Sequence, residues 1–212
     1  MSRYQAVVFD KDGTLIDVHL TWGPVFARVI PEVAGDAAAE AAAALALDLE
    51  AGTIDEDSVI IAGSNAEIAA VVGSVMHEAP SAVLSRLEPL IDDLAPRYAA
   101  PLAATPAVLE HLSARGVWLG VATNDGVVAA ERQLEHLGWR DHFASVLGYD
   151  SGFGTKPEPG MLLESARRAG VAVSELLFVG DSETDRRTAA AAGCDFHVVG
   201  PDQPLNLVLS RL

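Results

Sequence analysis

The sequence predicts an α/β fold, a doubly wound parallel sheet interrupted by an inserted all-helical domain. Three observations carry this. Short apolar, β-branched runs alternate with helical periods from residue 101 onward, the spacing of strand–helix–strand units. Residues 18–100 carry helical periods and almost no strand signal. Polar residues cluster just after the strands, at the carboxyl edge where such sheets bind ligands. The expected division is 1–17 with 101–212 for the sheet domain and 18–100 for the insertion.

Residues 5–9 read as the first, buried strand. The run DAAAEAAAALALDLEAG (36–52) is rich in strong helix formers and predicts one helix stopped by Gly52. Ser64, with Glu67 three residues on, matches a capping box opening a second helix. Residues 81–100 form a third, with a bend expected at Pro89. Beyond 101, Thr105-Pro106 opens a helix that Gly116 ends. Strands follow at 117–123, 144–148, 176–181 and 195–200. Helices are expected at 125–138, 157–170 and 182–193, with a last one at 205–212.

Composition excludes several functions. Fourteen basic residues face 30 acidic ones, for a formal net charge of −16. Nucleic acid, bound mainly through Lys and Arg neutralising phosphates, is an unsuitable partner, and an anionic membrane surface would repel the chain. No apolar run is long enough to span a bilayer, and the opening residues lack a signal-peptide pattern. Cys194 is the only cysteine, which fits a reducing, cytoplasmic location. A monomer or a homodimer is expected.

The chemistry concentrates at the strand ends. Residues two apart in an extended segment point the same way, so Asp10 and Asp12 should face one pocket and Lys11 should point away, toward solvent or a cap contact. Asp181 and Asp185 follow the fourth strand of the sheet. Carboxylates gathered in one cleft repel each other unless a cation offsets them, and an all-oxygen donor set suits Mg²⁺. Thr123 and Asn124 add a hydroxyl and an amide, Lys156 a positive charge, and Gly13 a tight turn that frees backbone N–H groups for an anion. Together these describe a phosphate pocket.

Four segments, DKDGTL (10–15), TN (123–124), KPEP (156–159) and GDSETD (180–185), resemble in order the motifs of the haloacid dehalogenase (HAD)-like superfamily, in its phosphoglycolate phosphatase-like branch with a helical cap. The resemblance implies a Mg²⁺-dependent phosphatase acting on a small phosphorylated metabolite, phosphoglycolate- or sugar-phosphate-like. It makes Asp10 the nucleophile of an aspartyl-phosphate intermediate and Asp12 the general acid and base, a role that needs its carboxyl protonated at the outset. It places the metal on Asp10, the backbone carbonyl of Asp12, and Asp181, with Asp185 as an orienting residue. It assigns Lys156 to phosphate or the nucleophile, and makes 18–100 a mobile cap hinged near 16–20 and 99–103.

Within the insertion, His19, Ser64 and Asn65 are the candidate substrate contacts. Trp22 and Phe26, four apart, belong to its core. A phosphomutase of the same fold is an alternative and would require a bisphosphate. A non-catalytic module that binds phospho-ligands is another. A phosphonatase is disfavoured, because residues 18–100 contain no lysine for a Schiff base.

Overall fold

The computed structural model describes residues 3–212. The chain divides into two compact units, Met1–Asp17 with Pro101–Leu212, and Val18–Ala100.

The first unit opens with β1 (Ala6–Phe9), buried throughout. The second unit follows: α1 (Val18–Ala34), α2 (Ala38–Ala44), a two-stranded hairpin of β2 (Leu47–Asp48) and β3 (Thr53–Ile54), then α3 (Val59–Ala62), α4 (Asn65–Met76) and α5 (Pro80–Tyr98). Its core is helical. On α1, Trp22, Phe26, Val29, Ile30 and Val33 recur at three- and four-residue steps and are buried, and the Trp22 and Phe26 ring centroids lie 5.8 Å apart. On α5, Val83, Leu87, Ile91 and Ala95 form a buried stripe at steps of four, packed on α1 and α4. The helix runs unbroken through Pro89 and Pro96.

The expected single helix over 36–52 is corrected. It ends at Ala44, and turn chemistry overrides the alanine-rich propensity. Ala46 takes a positive φ of 51°. Asp48 Oδ1 accepts hydrogen bonds from the backbone N–H groups of Glu50 (2.8 Å) and Ala51 (2.9 Å), closing the hairpin. The capping box is present: Ser64 Oγ accepts from Glu67 N and Glu67 Oε2 accepts from Ser64 N at 2.7 Å.

The first unit resumes with α6 (Thr105–Ala114), β4 (Trp118–Ala122), α7 (Val127–His136), β5 (Ser145–Leu147), α8 (Gly160–Ala169), β6 (Leu176–Gly180), α9 (Glu183–Ala192) and β7 (Asp195–Val198). Thr105 is the first residue inside α6 rather than its cap, since its hydroxyl donates to Leu15 O at 2.8 Å. The tail over Leu205–Arg211 is a 3-10 helix, not an α-helix. It buries Leu205 and Val208, three apart, as three residues per turn requires.

The strands form one parallel sheet in the order β5-β4-β1-β6-β7, with β1 in the middle. Its two faces feed separate cores. Val7, Phe9, Leu119, Val121, Leu177 and Val179 point to one, and Ala6, Val8, Ala122, Leu176 and Phe178 to the other. That is the period-two alternation of strands covered on both faces. Where the chain leaves for the helical unit and returns from it, Ile16 and Pro101 form an antiparallel bridge, and Leu102 N donates to Leu15 O at 3.0 Å.

Candidate active site

Because β1 lies between β4 and β6, the residues that follow these three strands become neighbours. Asp10 comes directly after β1 and still belongs to the ladder, its N–H donating to Val179 O at 2.8 Å. Its side chain then ends the strand by accepting the N–H of Lys11 at Oδ1, 2.7 Å. The backbone turns through Gly13, at φ +80°, whose N–H donates to Ile16 O at 2.8 Å. Glycine suits that φ, and a Cβ there would lie 2.1 Å from Asp181 Oδ2 and displace it. Thr14 Oγ1 donates to Asp181 Oδ1 at 3.3 Å.

Three carboxylates converge. One oxygen each from Asp10, Asp181 and Asp185 lies within 4.8 Å of the others. Lys156 lies among them, its Nζ 2.7 Å from Asp10 Oδ1 and 2.7 Å from Asp185 Oδ1. Asp185 is fully buried. Its second oxygen accepts from the Ser182 N–H at 3.1 Å and from the Ser182 hydroxyl at 2.5 Å, so the cap of α9 also aims the carboxylate. Asn124 anchors the lysine loop: its Oδ1 accepts Lys156 N–H at 2.8 Å, and its Nδ2 donates to Lys156 O at 3.3 Å. Thr123 is buried, its Oγ1 accepting from Asp125 N at 3.1 Å.

The electrostatics follow from one cation shared among several acids. Burial, then the charge of Asp185, holds the Asp10 pKa well above its ordinary value, although Lys156 opposes the shift. Asp181 is pushed up to about 6 by partial desolvation and by Asp185, again against Lys156. Burial alone would lower the Lys156 pKa, but Asp10 and Asp185 outweigh it and raise it. The donors are all hard oxygens and their anionic forms are under-compensated, so the three carboxylates fit a divalent cation of the Mg²⁺ type.

A second cluster of charges forms around Lys11. Lys11 was expected to face away from the acids, and the structure corrects this. Its side chain has no exposure, and Nζ lies 2.8 Å from Asp12 Oδ1, 2.7 Å from Asp12 Oδ2 and 2.7 Å from Asp125 Oδ2. The alternation rule fails because β1 ends at Phe9 and the chain is already turning. Burial and the charge of Asp12 push Asp125 up to about 7, with Lys11 opposing. Sequence reasoning missed both Asp125 and Thr14. A chain with two lysines, one set among acids, was the available signal for a buried partner.

Asp10, Gly13, Thr123, Asn124, Lys156, Asp181 and Asp185 are thus brought to one sheet edge, with Asp12 held beside them by Lys11. His19 is exposed on α1, while Ser64 and Asn65 are buried at the start of α4, where the Ser64 hydroxyl donates to Glu67 Oε2 at 2.9 Å. These three belong to the helical unit.

Comparison with known proteins places this arrangement. A phosphoglycolate phosphatase of Neisseria meningitidis is 38% identical over 97 residues, a match covering 46% of this chain and 41% of that protein. The chain therefore spans less than half the length of that relative. A phosphoglycolate phosphatase of Rhodospirillum rubrum is 34% identical over 206 residues, covering 89% of this chain and 76% of its own. A HAD-superfamily hydrolase of subfamily IA, variant 1, from Geobacter sulfurreducens shares the fold at a TM-score of 0.63 and 23% identity, covering 93% of this chain and 87% of its own. The haloacid dehalogenase-like hydrolase model matches residues 4–193. With that match across nearly the whole chain, and the four motif segments meeting at one sheet edge, the chain belongs to the haloacid dehalogenase-like hydrolase family.

Proposed function

We propose that this chain is a Mg²⁺-dependent phosphatase that hydrolyses a small phosphorylated metabolite through an aspartyl-phosphate on Asp10. The observation that carries the reading is the convergence of Asp10, Asp181 and Asp185 within 4.8 Å around Lys156. The phosphoglycolate phosphatases among its relatives make 2-phosphoglycolate the first substrate to try.

Asp10 attacks phosphorus, and the bond to the leaving oxygen breaks. Asp12 gives its proton to the departing alcohol, then takes one from the water that attacks the acyl phosphate, which frees inorganic phosphate and restores the Asp10 carboxylate and the protonated Asp12 carboxyl. Lys156, Thr123, Asn124 and the backbone at Gly13 receive the phosphoryl oxygens, with Asp185 fixing Lys156. Asp10, the Asp12 carbonyl and Asp181 would hold Mg²⁺, which would supply Lewis-acid stabilisation of phosphoryl charge. The unit 18–100 is the cap in this reading, and substrate choice falls to it.

The test is phosphate release over a panel of alkyl phosphates, with Mg²⁺ and with excess chelator. Metal-dependent release that Asp10→Asn abolishes supports the reading. Full-rate release in chelator, or by Asp10→Asn, overturns it.

A further inference from the structure

The proposed chemistry leaves one buried cation unused. The Lys11 side chain has no part in that chemistry as written, yet it is fully buried. Burying an ammonium is costly unless it is paired and hydrogen-bonded, so its contacts should account for its place. Nζ reaches both oxygens of Asp12, at 2.8 and 2.7 Å, and Asp125 Oδ2 at 2.7 Å. The adjacent Lys156 makes a different pair, with Asp10 and Asp185. The two motif aspartates are therefore each held by their own lysine.

We propose that Lys11, braced by Asp125, is the positioning residue for Asp12, fixing its carboxylate for proton transfer to the leaving group. This rests on the reading of Asp12 as acid and base given above. Three features support it. The lysine grips both oxygens, so it sets the orientation of the carboxylate plane as well as its position. A carboxylate offers about four lone-pair sites, so this grip leaves one for the proton delivered to the leaving oxygen and later for the hydrogen of the attacking water. Asp125 comes from the turn three residues after β4, a separate strand, and Thr123 Oγ1 accepts its N–H at 3.1 Å. The ammonium is thereby tied to a second stretch of chain beyond its own turn. A general acid displaced by an ångström loses most of its effect, which makes such bracing consequential.

The role predicts a dependence on the leaving group that a purely structural lysine would not show. An alkyl alkoxide needs a proton to depart, whereas p-nitrophenolate does not. The experiment compares kcat/KM, which reports the first phosphoryl transfer, for the best alkyl phosphate of the panel and for p-nitrophenyl phosphate. The proteins are wild type, Lys11→Met and Lys11→Met/Asp125→Asn. The double variant removes the uncompensated second carboxylate, so it serves where the single variant does not fold. Positioning predicts a loss of about 10²-fold on the alkyl ester, the scale of acid catalysis, and at least about tenfold less on the nitrophenyl ester. An equal loss on both esters, or no loss, by a folded variant overturns the proposal and leaves the phosphatase reading standing. A wild type inactive on every alkyl phosphate overturns that reading itself, and this proposal with it.

Discussion

Lys156 Nζ lies 2.7 Å from Asp10 Oδ1, and that ammonium is the only positive side chain in direct contact with the carboxylate among the described residues. It comes from the loop after β5, while Asp10 lies at the end of the central strand, so the pair ties two separated stretches of chain. Lys156→Met should lower phosphate release by at least about 10²-fold, the usual cost of deleting a preorganised electrostatic contact. It should also destabilise the protein by about 3–5 kcal/mol, because the remaining buried charges lose their partner. Initial rates and thermal melts of the same preparation check both. Unchanged melting would mean that the pair contributes nothing to the fold.

Metal-free protein should lose stability as pH rises from about 4 to about 7. Asp181 and Asp125 have folded pKa values pushed up to about 6 and about 7, above their ordinary 3.8. Over that interval the folded state binds more protons than the unfolded one, so the slope of unfolding free energy with pH is negative. For Asp125 the shift corresponds to about 4 kcal/mol. Urea midpoints at pH 5 and pH 7.5, for wild type and Asp125→Asn, measure it. The variant should flatten the profile, and added Mg²⁺ should stabilise more at pH 7.5 than at pH 5.

Gly13→Ala should damage the site more than the fold. The positive φ costs an alanine about 1–2 kcal/mol, but the new Cβ would overlap Asp181 Oδ2 at 2.1 Å. The carboxylate must move. Mg²⁺ titration followed by melting temperature should show affinity weakened by at least about tenfold. Wild-type affinity would show that Asp181 is not a ligand.

Cys194 should be chemically quiet. Burial pushes its thiol up to about 12, so little thiolate exists at neutral pH, and the thiolate is the reactive form. Native protein at pH 8 should react with iodoacetamide at least about 10²-fold more slowly than urea-unfolded protein. Comparable rates would place the sulfur in water.

Much of this architecture was legible because the physics was local. Apolar strands closed by Asp, Thr and Gly announced the sheet edge, and Ser64 with Glu67 announced a helix start. Elsewhere local rules lost to specific contacts. The alanine-rich run around Ala43 favours helix until Asp48 turns the chain back on itself through side-chain hydrogen bonds. The 205–212 tail is a 3-10 helix whose Leu205 and Val208 are buried in the same core. Lys11 defeated the strand alternation because a partner far along the chain, Asp125, decides where its ammonium goes. The Asn124 amide pairs with the Lys156 backbone, a contact between residues 32 apart that no local pattern announces.

The bridge between Ile16 and Pro101 has a practical corollary. The helical unit departs from and rejoins the sheet unit at adjacent rungs, so its two ends need no long span to meet. Excising it and sealing the gap with a few flexible residues would cost little chain entropy. Such a miniature should still fold around the five-stranded sheet, and its rates beside those of the full chain would isolate what the helical unit contributes.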